Sequence, residues 1–161
     1  MIFCSTTFSI SNNTGQVVAV NTRNYTGTLG QATNAEVLFT ESISSIGTSS
    51  LGALLRWNDS NNYYRATISG TQLYLLKRVG GTLTKLGSVS FSASAGVAYT
   101  IRFRIVGTTL SAKVWQANLP EPPNWMVTAN DSSLSSGSCG ILMYLQGGVT
   151  VNVTSYQAIA R

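Results

Sequence analysis

Five side-chain carboxylates serve the whole chain, Glu36, Glu41, Asp59, Glu121 and Asp131, and no histidine accompanies them. The missing imidazole removes Ser-His-Asp and Cys-His nucleophile systems, histidine metal sites and imidazole acid–base catalysis together. Glycoside hydrolysis would need two carboxyl groups about 5 to 9.5 Å apart on either side of the scissile bond. Glu36 and Glu41 stand five residues apart, an odd spacing that sends them to opposite faces of a regular strand. Asp59 falls in an Asn-rich turn and Asp131 opens the stretch DSSLSSG, positions where a carboxylate ordinarily caps its own backbone. Nothing around Lys77 or Lys113 would depress a lysine pKa, and no strand, glycine-rich loop and helix follow one another to cradle a phosphate. The expectation is a protein that is not an enzyme.

Recognition is the chemistry that remains. Sugar rings offer apolar C–H faces to flat side chains, while their hydroxyls seek amide, carboxylate and guanidinium partners. Trp57, Tyr63 and Tyr64 flank the turn 58–62, which supplies such groups, and Trp115 and Trp125 flank the proline-rich loop 119–124. Adjacent tyrosines on a strand point to opposite faces, so one of Tyr63 and Tyr64 faces outward. The candidate ligand-binding residues are Arg56, Trp57, Asp59, Asn61, Asn62, Tyr64 and Trp125. Trp115, followed by Gln116, reads as a core residue.

The formal charge is +5, and charged residues are only 9% of the chain against the usual quarter, so Ser, Thr, Asn and Gly must supply the polar surface. Between positions 56 and 113 lie Arg56, Arg65, Lys77, Arg78, Lys85, Arg102, Arg104 and Lys113 against Asp59 alone. That stretch can attract an acidic partner, although isolated solvated cations on strands, with lysines guarding sheet edges, explain it equally simply. No basic run alternates with aromatics as in a nucleic-acid groove, and no apolar run reaches the roughly 18 residues of a membrane span. No leader pattern opens the chain, so an exported form would carry its signal upstream or have lost it.

The elements that must position these groups are strands. Alternation of period two recurs in TTFSIS, QVVAVN, EVLFTES, ALLRW, YYRATIS, QLYLLKRV, TLTKLGSV, YTIRFRIV, TLSAKVW, WMVTAN, CGILMYL and VTVNVTSYQAI, with turn residues between them. Gly80 and Gly81 predict a two-residue hairpin in which Val79 faces Thr82, Lys77 faces Thr84, Leu76 faces Lys85 and Leu75 faces Leu86. About a dozen strands without helices predict one all-β domain over 1–161, a two-sheet antiparallel jelly-roll sandwich, whole or part of a larger assembly. Cys4 and Cys139 sit near opposite ends, where adjacent terminal strands would allow a disulfide; two unlinked thiols are the alternative.

The ordered series GALLRWNDSNNYYRA, LLKRVGGTLTKLG, YTIRFRIVGTTLSAKVW and EPPNW, then Asp131 and Ser132, resembles concanavalin A-like (laminin G-like) lectin/glucanase sandwich domains. The kind it resembles is the accessory type of long secreted bacterial surface proteins and of phage or adhesive fibres. The resemblance spans residues 8–156 and implies a non-enzymatic binding module for carbohydrate or another surface ligand. The alternative it carries is a structural spacer or capsid- or fibre-type subunit contacting other protein chains. An extracellular, cell-surface or virion-associated location follows from it. Relatives place an Asp near the end that helps hold structural calcium; here the strand carries Asn152, which brings an oxygen without charge, so no cofactor is expected and calcium is left open near Asn152.

Overall fold

A computed structural model describes residues 8–11 and 14–161. Every element among them is a strand: β1 (Phe8–Ser11), β2 (Thr14–Val18), β3 (Arg23–Ala32), β4 (Ala35–Ile43), β5 (Ser50–Asp59), β6 (Asn62–Ser69), β7 (Gln72–Val79), β8 (Thr82–Ser90), β9 (Ala98–Val106), β10 (Thr109–Gln116), β11 (Val127–Asn130), β12 (Gly137–Leu145) and β13 (Thr150–Ala160). They form a seven-stranded sheet, in the order β1-β2-β13-β4-β9-β10-β11, and a six-stranded sheet, in the order β3-β12-β5-β6-β7-β8. All the pairings are antiparallel. The period-two pattern explains the layering. In β4, Val37, Phe39 and Ile43 enter the core while Leu38, Thr40 and Ser42 alternate outward, and Leu73, Leu75 and Met143 meet them from the other sheet.

Gly80 and Gly81 both take positive φ, 56° and 83°, which matches the two-residue hairpin expected of them. Val79 pairs with Thr82, Lys77 with Thr84 and Leu76 with Lys85, but Leu75 pairs with Gly87 instead of Leu86. A bulge places Leu86 as the extra residue, packed on the core. A Cβ at position 87 would come 3.0 Å from Val127 Cγ2, so glycine there lets β11 close over β8.

A second bulge, between Leu55 and Asp59, turns Arg56 inward and Trp57 outward, whereas Tyr64, paired with Leu55, lies in the regular part of the ladder. Arg56 takes φ 49°, the one positive-φ non-glycine residue among those described, a conformation that costs on the order of 1 kcal/mol. Its guanidinium turns inward and donates to Thr33 O at 2.9 and 2.7 Å, Leu134 O at 2.6 Å and Gly107 O at 2.8 Å. Tyr64 is the inward member of the tyrosine pair and is fully buried. Its hydroxyl donates to Asp131 Oδ1 at 2.6 Å and accepts from the Leu134 amide at 3.1 Å. Burial alone would raise the Asp131 pKa, but hydrogen bonds from Lys77, Tyr64 and Ser133 outweigh it and hold the carboxyl below the usual carboxylate range. Arg56 and Tyr64 therefore fasten loops and do not present themselves to a ligand.

Glu36 and Glu41 point to opposite faces, as their spacing requires. Glu41 faces inward, into a small cavity lined in part by Ser49, Leu51, Ile68 and Tyr99, and neither carboxylate oxygen has a hydrogen-bond partner among the described residues. Burial pushes its pKa well above the ordinary value. A raised folded-state pKa means that the native state binds the proton more tightly, so stability falls as pH rises from the unfolded pKa through the folded one. Glu41→Gln should remove that loss. The stability of the variant relative to the parent should grow with pH by about 1.4 kcal/mol per unit inside that window, and parallel urea-denaturation curves across pH would refute a buried titrating Glu41. Tyr64→Phe should cost about 1 to 3 kcal/mol, because it leaves Asp131 and the Leu134 amide each short of a partner; a loss below a few tenths would show that the hydroxyl holds nothing.

Candidate functional site

Cross-strand partners share a face, so the registers lay out the outer surface of the six-stranded sheet row by row. One row runs Thr28, Gly140, Leu54, Arg65, Leu76, Lys85. The row on one side runs Thr26, Leu142, Gly52, Thr67, Tyr74, Ser88, and the row on the other runs Ser138, Trp57, then Tyr63, Arg78, Leu83 across the bulge. Leu54, Tyr63 and Leu142, with Trp57 against them, form a small apolar cluster separate from the sandwich core. Small residues make room for large ones: Arg65 Cγ lies 3.1 Å from where a Cβ on Gly52 would stand, so the arginine stem lies over that glycine. Thr67 donates to Leu51 O within the sheet, and Arg78 Nε to Gly81 O. Apart from the Gly81 carbonyl in the β7–β8 turn, no described residue outside the sheet makes a hydrogen bond to a side chain of Arg65, Leu76, Arg78, Lys85, Tyr74, Tyr63 or Trp57.

The turn 58–62 forms the rim of this face. Asp59 is exposed and accepts from the Asn61 amide at 2.7 Å and from Asn62 Nδ2 at 3.0 Å, which lowers its pKa. This is the capping role its position implies. Asn62 Oδ1 accepts in turn from the Gly80 amide, and Gly81 donates its amide to Asn61 O, tying the two hairpin ends together. Trp57 is half-buried in the apolar cluster, and Tyr63, the outward tyrosine, is 4% exposed because that cluster closes around it. Of the candidate residues the structure thus gathers Trp57, Asp59, Asn61 and Asn62 at one edge of the face and turns Arg56 and Tyr64 inward. The sequence left open which of Tyr63 and Tyr64 faces outward and named Tyr64 as the candidate; Arg65, Tyr74 and Arg78 were not among the candidate ligand-binding residues. The i, i+2 spacing of Tyr63 and Arg65 on β6 and the positions of Tyr74 and Arg78 on the facing strand β7, anchored by the glycine hairpin, were the signal available.

Trp125 lies elsewhere, against the outer face of the seven-stranded sheet. Arg104 stands 4.5 Å and Lys113 5.0 Å from its ring centroid. Lys113 Nζ also donates to Pro122 O at 2.6 Å and pairs with Glu121 at 2.6 Å, so the proline-rich loop folds back onto its own sheet. Trp115 pairs with Thr100, whose partner Thr40 points outward, so this tryptophan sits on the same outer face and is not a core residue. Glu36 is 1% exposed and pairs with Arg161 at 2.7 Å; the Arg102 guanidinium stands between it, at 3.6 Å, and Glu121, at 2.7 Å. A cation thus occupies the space between these two carboxylates where a glycosidic bond would have to be held.

Asn152 accepts from Gln16 Nε2 at 2.9 Å and pairs with Ser42 on β4. Among the described residues no group of three or more His, Cys, Asp or Glu side chains gathers that could hold a metal ion. Cys139 is buried on β12, beside β3 and β5, whereas β1 lies at the far edge of the other sheet. The strands expected to lie side by side are therefore separated; Cys4, and with it the proposed disulfide, lies outside the described residues.

No protein-family model and no curated protein matches the sequence. Solved structures do match the fold. A carbohydrate-binding module, CBM66 from Bacillus subtilis, superposes with a TM-score of 0.79 at 12% identity, over 99% of this chain and 94% of that one. The exoplasmic/lumenal domain of VIP36, in a form bound to Ca2+ and Man3GlcNAc, gives 0.71 at 8% identity, over 96% and 81%. Sheep galectin-11, in complex with glycerol, gives 0.60 at 10% identity, over 85% and 98%. With its two antiparallel sheets and no helix among the described residues, the chain has the concanavalin A-like, lectin-type β-sandwich fold.

Proposed function

We propose that the domain is a non-enzymatic carbohydrate-binding module that holds a glycan on the outer face of the six-stranded sheet. The observation that carries this is the partly exposed aromatic pair on that face, Trp57, seated on the buried cluster of Leu54, Tyr63 and Leu142, and Tyr74, with the polar turn 58–62 at the rim. Aromatic rings beside amide and guanidinium donors suit both surfaces of a pyranose. The opposite sheet is less suited, because its tryptophan Trp125 is engaged by Arg104 and Lys113 and its loop lies over its own strands. The similarity in fold to a carbohydrate-binding module and to lectins supports the same reading.

Binding on an open sheet face should be weak, in the millimolar to micromolar range, about −4 to −8 kcal/mol. It becomes useful through multivalent display. Such a module works where glycans are exposed, on a cell surface, in the extracellular space or on a virion. No helix of the described chain is long and apolar enough to cross a membrane. A tetramerised domain should score on an array of neutral and charged glycans without releasing reducing sugar. Tyr74→Ala and Trp57→Ala should each weaken the signal tenfold or more while Trp125→Ala leaves it unchanged. A blank array would favour a structural subunit, and binding that survives both substitutions on the six-stranded sheet but not Trp125→Ala would move the site to the other sheet.

A further inference from the structure

The cations of the proposed face have no anion of the chain to answer them. Glu36 and Glu121 belong to the outer face of the seven-stranded sheet, Glu41 to the core, Asp59 to its own turn, and Asp131 to Lys77 and Tyr64. Arg65 has neither a hydrogen bond nor an ion pair from any described residue, and its Nε is buried with no partner. Arg78 stands diagonally across from it, because Arg65 pairs with Leu76 and Arg78 follows two residues on. Lys85 pairs with Leu76 from the next strand. The two guanidiniums sense each other: desolvation first, and then repulsion from Arg78, lower the Arg65 pKa despite the favourable influence of Tyr63. A buried donor without a partner is costly in a folded protein and is uncommon outside sites that something else completes.

Resting on the reading of this face as a glycan site, we propose that its ligand is an oxyanion-bearing saccharide, a uronate or a sulfate ester, whose anion is held by Arg65 and Arg78 while its ring lies on Tyr74, which stands diagonally across from Arg65. A guanidinium fork matches the geometry of carboxylate and sulfate oxygens, and a site already desolvated by tyrosine and leucine strengthens that contact. A neutral glycan would leave two adjacent cations uncompensated. The anion therefore selects among sugars, and the rings supply contact area that does not depend on charge.

The test is calorimetric titration of the whole domain with three oligosaccharide probes of matched length: a polygalacturonate, which carries carboxylates only, a κ-carrageenan fragment, which carries sulfate esters only, and a neutral xylo-oligosaccharide. At least one anionic probe should bind tenfold or more tightly than the neutral one, and which of the two does so assigns carboxylate or sulfate. Arg65→Gln and Arg78→Gln should each abolish that preference. Arg161→Gln removes the same charge from the other sheet and should leave it intact. If all three substitutions weaken anionic binding equally, the effect is net charge alone and the assignment fails. If Arg65→Gln does not fold, Arg78→Gln decides by itself, since Arg78 Nε reaches the turn carbonyl of Gly81 and is not among the buried unpartnered atoms. Preference for the neutral probe would overturn the anionic assignment while leaving the glycan reading in place, whereas failure of all three probes together with a blank array would remove both.

Discussion

The bulge at Arg56 is the constraint on which the rest of this molecule turns. By taking a left-handed conformation for one residue, the chain swings a guanidinium inward to serve the carbonyls of Thr33, Gly107 and Leu134, which belong to three separate connections. Those carbonyls would otherwise need partners at a closed end of the sandwich. The same kink sets the outward direction of Trp57 beyond it, while Leu55 and Tyr64 keep the regular ladder before it. Leu55 and Tyr64 go into the core, Trp57 and Tyr63 come out, and Tyr64 reaches Asp131 and the Leu134 amide in the loop that Arg56 also holds. Gly137 is part of the arrangement, because a Cβ there would lie 2.5 Å from the Arg56 carbonyl carbon. One strained residue thus fixes loop positions at the end of the fold and the outward direction of Trp57 in the proposed site.

Charge is the second economy. With ten cations and five carboxylates, the fold cannot compensate every guanidinium, and where it spends its carboxylates is informative. Four of them close structural junctions: Glu36 and Glu121 tie the C-terminal arginine, Arg102 and Lys113 together, Asp131 fastens Lys77 to Tyr64, and Asp59 shapes a hairpin. Glu41 is sealed in the core without a partner. Pairs that are partly exposed contribute little stability each, but a shared network that also anchors Trp125 positions a ten-residue loop at modest cost. The six-stranded sheet receives none of this neutralisation on its outer face.

The fold was legible because its signals were local and repeated. Period-two alternation together with Gly80 and Gly81 determines a hairpin register, and the structure departs from that register only at the bulge that brings Gly87 under Val127. Asp59 and Asp131 were legible as caps for the same reason. The site was less legible. Whether Tyr63 or Tyr64 faces outward depends on the parity of a strand, and a bulge of one or two residues inverts it without leaving a mark in composition. Arg56 was read as a ligand contact because an arginine beside a tryptophan and asparagines has that chemistry, yet its partners lie 23, 51 and 78 positions away. Trp125 was grouped with the turn 58–62 by residue type alone, and the two sheets then separated them.

The two sheets consequently have different relations to water. On the seven-stranded sheet, a folded-back loop and a cation-held indole lie over polar residues, and Arg102, whose Nε is also buried without a hydrogen bond, is ion-paired with Glu36 and Glu121. On the six-stranded sheet, leucines are buried beneath tyrosine and tryptophan rings, and an arginine stem covers a glycine while its Nε lacks a hydrogen-bond partner. Covering apolar groups with aromatic rings satisfies the hydrophobic effect, but it cannot satisfy a guanidinium. That difference in ion pairing is the physical ground, apart from any likeness in fold, for the proposal that the six-stranded sheet meets a partner bringing both a flat apolar ring and an anion.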